Sequence, residues 1–165
     1  MLEERSLIIG IGGEMNSYKE YYEKQLKDAQ EFQDFVAERL YSIGLPLFNY
    51  ASKKYQIEYG ENKLGVEIKH DIKYENGSQN LYIEIAEKSN PTIDGYSLSG
   101  IYRNDNTWLY IIGGYNKIFI FSKKFLKQLH KTDKYKQVEN ETKTSKGILL
   151  PVSIAEKYAA KILTF

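Results

Sequence analysis

Apolar side chains recur every three or four positions at Tyr22, Leu26, Ala29, Phe32, Val36 and Leu40, which predicts one long amphipathic helix over residues 17–43. Ser17 is placed to cap it, Glu20 follows three residues later, and Gly44 stops it ahead of Pro46. Lys24, Lys27, Asp28, Glu31, Asp34 and Glu38 form its solvated face. Beyond Gly44 the period shortens to two. Residues 46–50 read as a short strand or connection, and 53–59 as a polar strand ended by Gly60-Glu61-Asn62. Strands over 66–73 and 80–87 flank Asn76-Gly77, the strongest two-residue hairpin signal. Residues 89–103 read as a loop with one helical turn. Two further apolar strands, 107–112 and 117–122, are joined through Gly113-Gly114-Tyr115-Asn116. Ser122 then caps a helix reaching about His130, and residues 131–146 are polar and basic. A strand at 148–150 leads into a closing helix over 152–163, with Ser153 as cap and Ala155, Tyr158, Ala159 and Ile162 as its buried stripe. Residues 1–16 lack a useful period and read as a flexible leader before a single domain over 17–165. This order of elements predicts an α/β (α+β) fold with a mixed sheet flanked by helices.

Centring a hairpin on Asn76-Gly77 sets Asp71 opposite Tyr82, Lys69 opposite Glu84 and Glu67 opposite Ala86. Strand alternation then gathers Glu67, Lys69, Asp71, Glu84 and Lys88 on one face, with Ile68, Ile72, Leu81, Ile83 and Ile85 on the other. Asp71 and Glu84 become diagonal neighbours roughly 7 to 8 Å apart at Cβ, a gap two carboxylates can close on a hard cation. The bland reading of the same face is a cross-strand ion pair between Lys69 and Glu84, worth a few tenths of a kcal/mol, about the value of any exposed pair.

Composition narrows the classes. With 23 basic and 22 acidic residues among 165, a polyanion has to be met by a local patch. The absence of cysteine excludes disulfides, thiolate zinc sites and cysteine nucleophiles, and fits a cytoplasmic protein. No apolar run approaches the roughly 20 residues of a membrane span. Gly10-Ile11-Gly12-Gly13 lacks the flanking strand and lysine of a phosphate loop. His70 and His130 stand far apart and do not suggest zinc, and Arg103, Asn104 and Asn106 read as a turn capped by amide side chains ahead of the alternative, contacts to phosphates or bases. Fifteen tyrosines serve packing, stacking or protein contacts equally well.

The stretch His70-Asp71-Ile72-Lys73, then Leu81-Tyr82-Ile83-Glu84-Ile85-Ala86, resembles the active-site hairpin of the PD-(D/E)XK, or restriction-endonuclease-like, superfamily. There an Asp opens one strand and a following apolar strand delivers Glu-x-Lys. Ser99-Gly100-Ile101, Asp105 and Trp108-Leu109-Tyr110 are similar to a stretch in phage and bacterial members. The resemblance covers roughly residues 17 to 130 and departs at Ala86, where the family has its lysine. It implies a nuclease cleaving DNA with Mg2+ or Mn2+ held by Asp71, Glu84 and the carbonyl of Ile85, with Glu67 binding a second ion or steering the first. Lys88 or Lys69 would position the attacking water, and one of Glu31, Asp34 or Glu38 completes the site in some families. A homodimer is one arrangement for cutting a duplex. Ala86 argues for the alternative, a catalytically inactive domain of the same fold that binds nucleic acid or a protein partner. A third reading is an unrelated α+β interaction protein using its tyrosine-rich surface.

Overall fold

The computed structural model describes residues 7–49 and 52–165, with side chains from residue 17 onward except at positions 18 and 53. Helix α1 spans Leu7–Ser42 and therefore begins within the segment expected to be a leader, of which residues 1–6 lie outside the described residues. It ends as the sequence predicts. Gly44 adopts φ +86°, the Gly44 N–H donates to Tyr41 O and the Leu45 N–H to Leu40 O, the paired bonds of a Schellman cap. Only the C-terminal part of the expected stripe is buried: Phe32, Val36 and Leu40 pack, while Tyr22 and Leu26 are 58% and 48% exposed.

The strands divide into two four-stranded sheets. Strands β1 (Val66–His70), β4 (Leu109–Gly114), β5 (Lys117–Ser122) and β8 (Lys161–Thr164) form a mixed sheet in the order β1-β4-β5-β8, with β1 parallel to β4. Strands β3 (Ser97–Leu98), β2 (Asn80–Glu87), β7 (Ser145–Pro151) and β6 (Gln137–Glu139) form an antiparallel sheet in the order β3-β2-β7-β6. The content is α+β. Helix α1 covers one face of the mixed sheet, where Phe32, Val36 and Leu40 meet Val66, Ile68, Ile111 and Ile118. The opposite face packs on the antiparallel sheet, where Tyr110, Ile112, Phe119 and Phe121 meet Leu81, Ile83, Ile148 and Leu150. Among the described residues no helix is long and apolar enough to cross a membrane.

The expected hairpin between the strands around Asn76-Gly77 does not form. Asp71 leaves the strand and caps a one-turn helix, α3 (Ile72–Glu75), by accepting the Tyr74 N–H at 3.0 Å through Oδ1. Asn76 has φ −85°, so the turn is not the type I′ that Asn-Gly pairs favour, and Gly77 at φ +101° ends the helical turn instead. Local capping by Asp71 and long-range pairing of β1 with β4 together override the turn signal. None of the expected cross-strand pairs of Glu67, Lys69 and Asp71 exists, and Ile72 is 36% exposed rather than in the core.

Two other segments change type. Residues 53–59 form helix α2 (Lys53–Tyr59), in which Tyr55 and Tyr59 stack one turn apart at 5.6 Å. The closing helix is short, α5 (Val152–Tyr158), with Pro151 rather than Ser153 at its N-cap and Tyr158 48% exposed. Ala159 turns extended, and residues 161–164 pair with the free edge of β5 as β8. The expected helix after Ser122 is α4 (Lys123–Lys131), and Ser122 Oγ accepts the Phe125 N–H. His130, at its C-terminal end, contacts the Tyr102 hydroxyl and Gln137.

Candidate functional site

Strand alternation on β1 decides which side chains reach the interior. Val66 and Ile68 face α1, so Glu67 and Lys69 point to the other side, beside Tyr110 and Ile112 of β4 in the parallel register. Glu67 is 2% exposed and Tyr110 is fully buried. Lys69 Nζ lies 3.1 Å from Glu67 Oε1, in ion-pair range but outside hydrogen-bond alignment. Neither oxygen of the Glu67 carboxylate, nor the Tyr110 hydroxyl, has a hydrogen-bond partner among the described residues. Buried acids are rarely left this way.

The loop before β1 brings a second acid. Asn62, fully buried, exchanges hydrogen bonds with Val66 through its side chain, and this clamp sets Glu61 against the edge of β1, where Oε2 accepts the Ile68 N–H at 3.3 Å. Burial pushes the Glu61 carboxyl up to about 7 from its ordinary 4.5, with Glu67 adding to the rise and Lys69 and Arg103 opposing it. The folded chain therefore holds this proton more tightly than the unfolded chain does. Its stabilising contribution is full below pH 4.5 and is lost as pH climbs through about 7. Allowing for partial exposure, the loss is about 2 kcal/mol. Urea unfolding of the parent across that window should show this decline, and Glu61→Gln should flatten it.

Glu84 supplies the third carboxylate, from β2 in the other sheet. Ser99 Oγ donates to Oε1 at 2.7 Å and Ser145 Oγ to Oε2 at 3.0 Å, while the Tyr82 hydroxyl donates in turn to Ser145 at 2.8 Å. Burial, chiefly, pushes the Tyr82 phenol up to about 12, so it stays a donor. Gly100 makes the Ser99 contact possible. It sits at φ +53°, and a Cβ there would stand 2.2 Å from the Glu84 carbonyl oxygen. Gly100→Ala is expected to cost about 2 to 4 kcal/mol in urea unfolding, combining left-handed backbone strain with a backbone clash.

Burial on its own lowers the Lys69 pKa, but Glu67 and Glu84 outweigh it and hold the ammonium charged well above its usual range. Lys69 is a fixed cation and donor, not a base. Arg103 lies 3.0 Å from Glu87 and also feels Glu67 and Glu84, which raise its pKa against the effect of burial.

Lys69, Tyr82, Glu84, Tyr110 and Ser145 open onto a cleft, while Glu61, Glu67, Ser99 and Arg103 stand behind its lining. One half, about 640 Å³, is lined by Gln25, Lys69, Asp71, Tyr82, Glu84, Tyr110 and Ser145 among others. The other, about 600 Å³, shares Gln25, Glu84, Asn140 and Ser145 with it and adds Tyr21, Tyr22, Glu87 and Lys88.

Of the sequence-derived candidates, Lys69, Asp71, Glu84 and Lys88 line this cleft, and Glu67 and Ile85 do not. Asp71 and Glu84 both line it, though from different elements than expected, and both Asp71 oxygens already accept backbone N–H groups, from Tyr74 and from Tyr82. The Ile85 carbonyl accepts the Ser99 N–H, and its side chain lies in the core. Lys88 donates to the Pro91 and Ile93 carbonyls and sits over the Tyr96 ring, so Lys69 is the lysine set among the acids. Glu31, Asp34 and Glu38 are exposed and line neither half, and Gln25 stands there instead. Glu61, Ser99, Ser145 and Tyr110 were assigned no role by the sequence pattern, and Arg103, read there as a phosphate contact or a turn residue, pairs with Glu87. The spacing Glu67-Ile68-Lys69, one face of one strand, was the available signal.

A carboxylate with two unbonded buried oxygens can contribute to a hard-cation site. Among the described residues no three acids or histidines converge closely enough to close a metal shell unaided, and Mg2+ commonly takes only one or two carboxylates plus water. No family model, curated protein or solved structure matches the chain.

Proposed function

We propose that this chain is a metal-dependent nuclease that hydrolyses phosphodiester bonds in DNA, of the restriction-endonuclease-like type, with Glu67-Ile68-Lys69 serving as its Glu-x-Lys. The observation that carries the reading is Glu67: a buried carboxylate with neither oxygen hydrogen-bonded, paired with Lys69, which holds its charge and lines an open cleft. This placement removes the difficulty raised by Ala86, because the lysine stands two residues after Glu67 rather than after Glu84.

Glu67 and Glu84 would hold Mg2+ or Mn2+, which supplies Lewis-acid activation of water and neutralises charge on the phosphoryl oxygens. Lys69 Nζ donates to the attacking water or to a phosphoryl oxygen and adds fixed positive charge where negative charge develops. Glu61, whose carboxyl burial pushes up to about 7, lies behind this site against the Ile68 N–H and adjusts its charge. Ser99 and Ser145 fix the direction of the Glu84 carboxylate.

The second reading, an inactive domain of the same fold, is favoured by one observation: both Glu84 oxygens already accept serine hydroxyls. Thermal unfolding with added MgCl2 or MnCl2, run beside plasmid and single-strand cleavage, separates the two. An ion present at 100 times its Kd stabilises the fold by about 2.7 kcal/mol. The nuclease reading expects that shift in the parent, its loss in Glu67→Gln and Glu84→Gln, and cleavage only by the parent. The absence of both shift and cleavage sinks the nuclease reading and favours the inactive domain, and a shift without cleavage sinks the nuclease reading while leaving an ion site.

A further inference from the structure

The second half of the cleft shares Glu84 with the first and adds groups that an ion does not use. Its chemistry points outward from the acids: Tyr21 and Tyr22 on α1 are 50% and 58% exposed, and Lys88 and Thr142 stand on the wall across from the helix. Asn140 stiffens that wall. Its amide donates to the Thr142 and Thr144 hydroxyls and accepts the Thr144 and Ser145 N–H groups, so the turn over residues 140–145 is internally bonded. The same turn delivers Ser145 to Glu84.

We infer that this half of the cleft binds an unpaired nucleic-acid strand, with bases stacked on Tyr21 and Tyr22 and the backbone led past Lys88 toward Glu84 and Lys69. The inference rests on the nuclease reading and names its substrate class: single-stranded rather than duplex nucleic acid. Three physical arguments support it. Exposed aromatic faces benefit a base only when that base is not already stacked within a duplex. Each half of the cleft, near 600 Å³, has the size of a small-ligand pocket and accommodates one or two nucleotides at a time. A chain of net charge +1 lacks the dense positive field that a duplex, with one charge per roughly 1.7 Å of axis, demands of its partner. Lysines nevertheless mark the route, with Lys73 and Lys69 in the first half and Lys88 in the second.

The test uses the full chain with CaCl2, and fluorescence anisotropy of labelled oligothymidylate, oligouridylate and a blunt duplex. The single strands are expected to bind more tightly than the duplex, the thymidylate and uridylate arms showing whether the sugar matters. Tyr21→Ala and Tyr22→Ala should each weaken single-strand binding by about tenfold, in line with loss of one stacked base. Tyr21→Phe and Tyr22→Phe should retain it, since the ring rather than the hydroxyl is used. Thermal melts establish that each variant folds, and Lys88→Gln offers an independent variant on the opposite wall. Equal or tighter duplex binding, or Tyr→Ala variants that bind single strands like the parent, overturns the inference. Metal-dependent cleavage of a duplex plasmid by the same preparation would then leave the nuclease reading standing, so the two failures are distinguishable.

Discussion

Lys69→Met is expected to abolish cleavage and to lower the unfolding free energy by about 3 kcal/mol, because it strands the buried Glu67 carboxylate without its counter-charge. Lys69 feels four neighbouring groups, Glu67, Glu84, Tyr110 and Glu61, so its removal takes a counter-charge from three acids. Two further results identify the cause. The double variant Glu67→Gln with Lys69→Met should recover most of the stability and none of the activity. Millimolar MnCl2 should shrink the defect of Lys69→Met alone, because a divalent cation takes over the role of the ammonium. Urea unfolding reads all three. A Lys69→Met protein as stable as the parent would show that the pair contributes nothing net, and insensitivity of that variant to MnCl2 would remove Glu67 as a ligand.

Asp105→Ala is expected to cost about 3 to 5 kcal/mol, the largest effect on stability of any single change considered. Asp105 and Lys123 form an ion pair at 3.1 Å whose side chains are 3% and 5% exposed, and Lys123 also donates to the Arg103 carbonyl at 2.7 Å. Burial alone would raise the Asp105 pKa. The Thr107 N–H and Lys123 overcome that and hold it below its ordinary 3.8. The stabilisation is therefore present above that value and disappears as pH falls through the lower folded-state value, so Asp105→Ala should flatten the acid limb of the stability profile. Restoring the balance of charge with Lys123→Met in addition should return part of the stability. If Asp105→Ala unfolds at the parent's urea midpoint, the pair is not structural.

Elements governed by their own residues were legible in the sequence. Phe32, Val36 and Leu40 mark the packed part of α1, Gly44 its end, Ser122 the start of α4, and Gly113 to Asn116 the turn between β4 and β5. Elements decided by distant partners were not. The segment after Ala159 becomes a strand because β5 has an unpaired edge to offer, and β1 leaves its expected neighbour because β4 pairs with it in parallel. The candidate site divides the same way. Glu67, Lys69, Asp71 and Glu84 were visible as polar positions in apolar strands, whereas Glu61, Ser99, Arg103 and Ser145 arrive from loops and strand ends whose approach depends on tertiary packing. Asn76-Gly77 misled because a side-chain cap from Asp71 competed for the same backbone.

Glu67 and Glu84 belong to different sheets, although only 16 residues of chain lie between them. An ion shared by those two acids would rivet one layer of the molecule to the next. Slippage of the layers past each other would spoil the grip while leaving every strand intact, so catalysis would serve as a gauge of interlayer alignment.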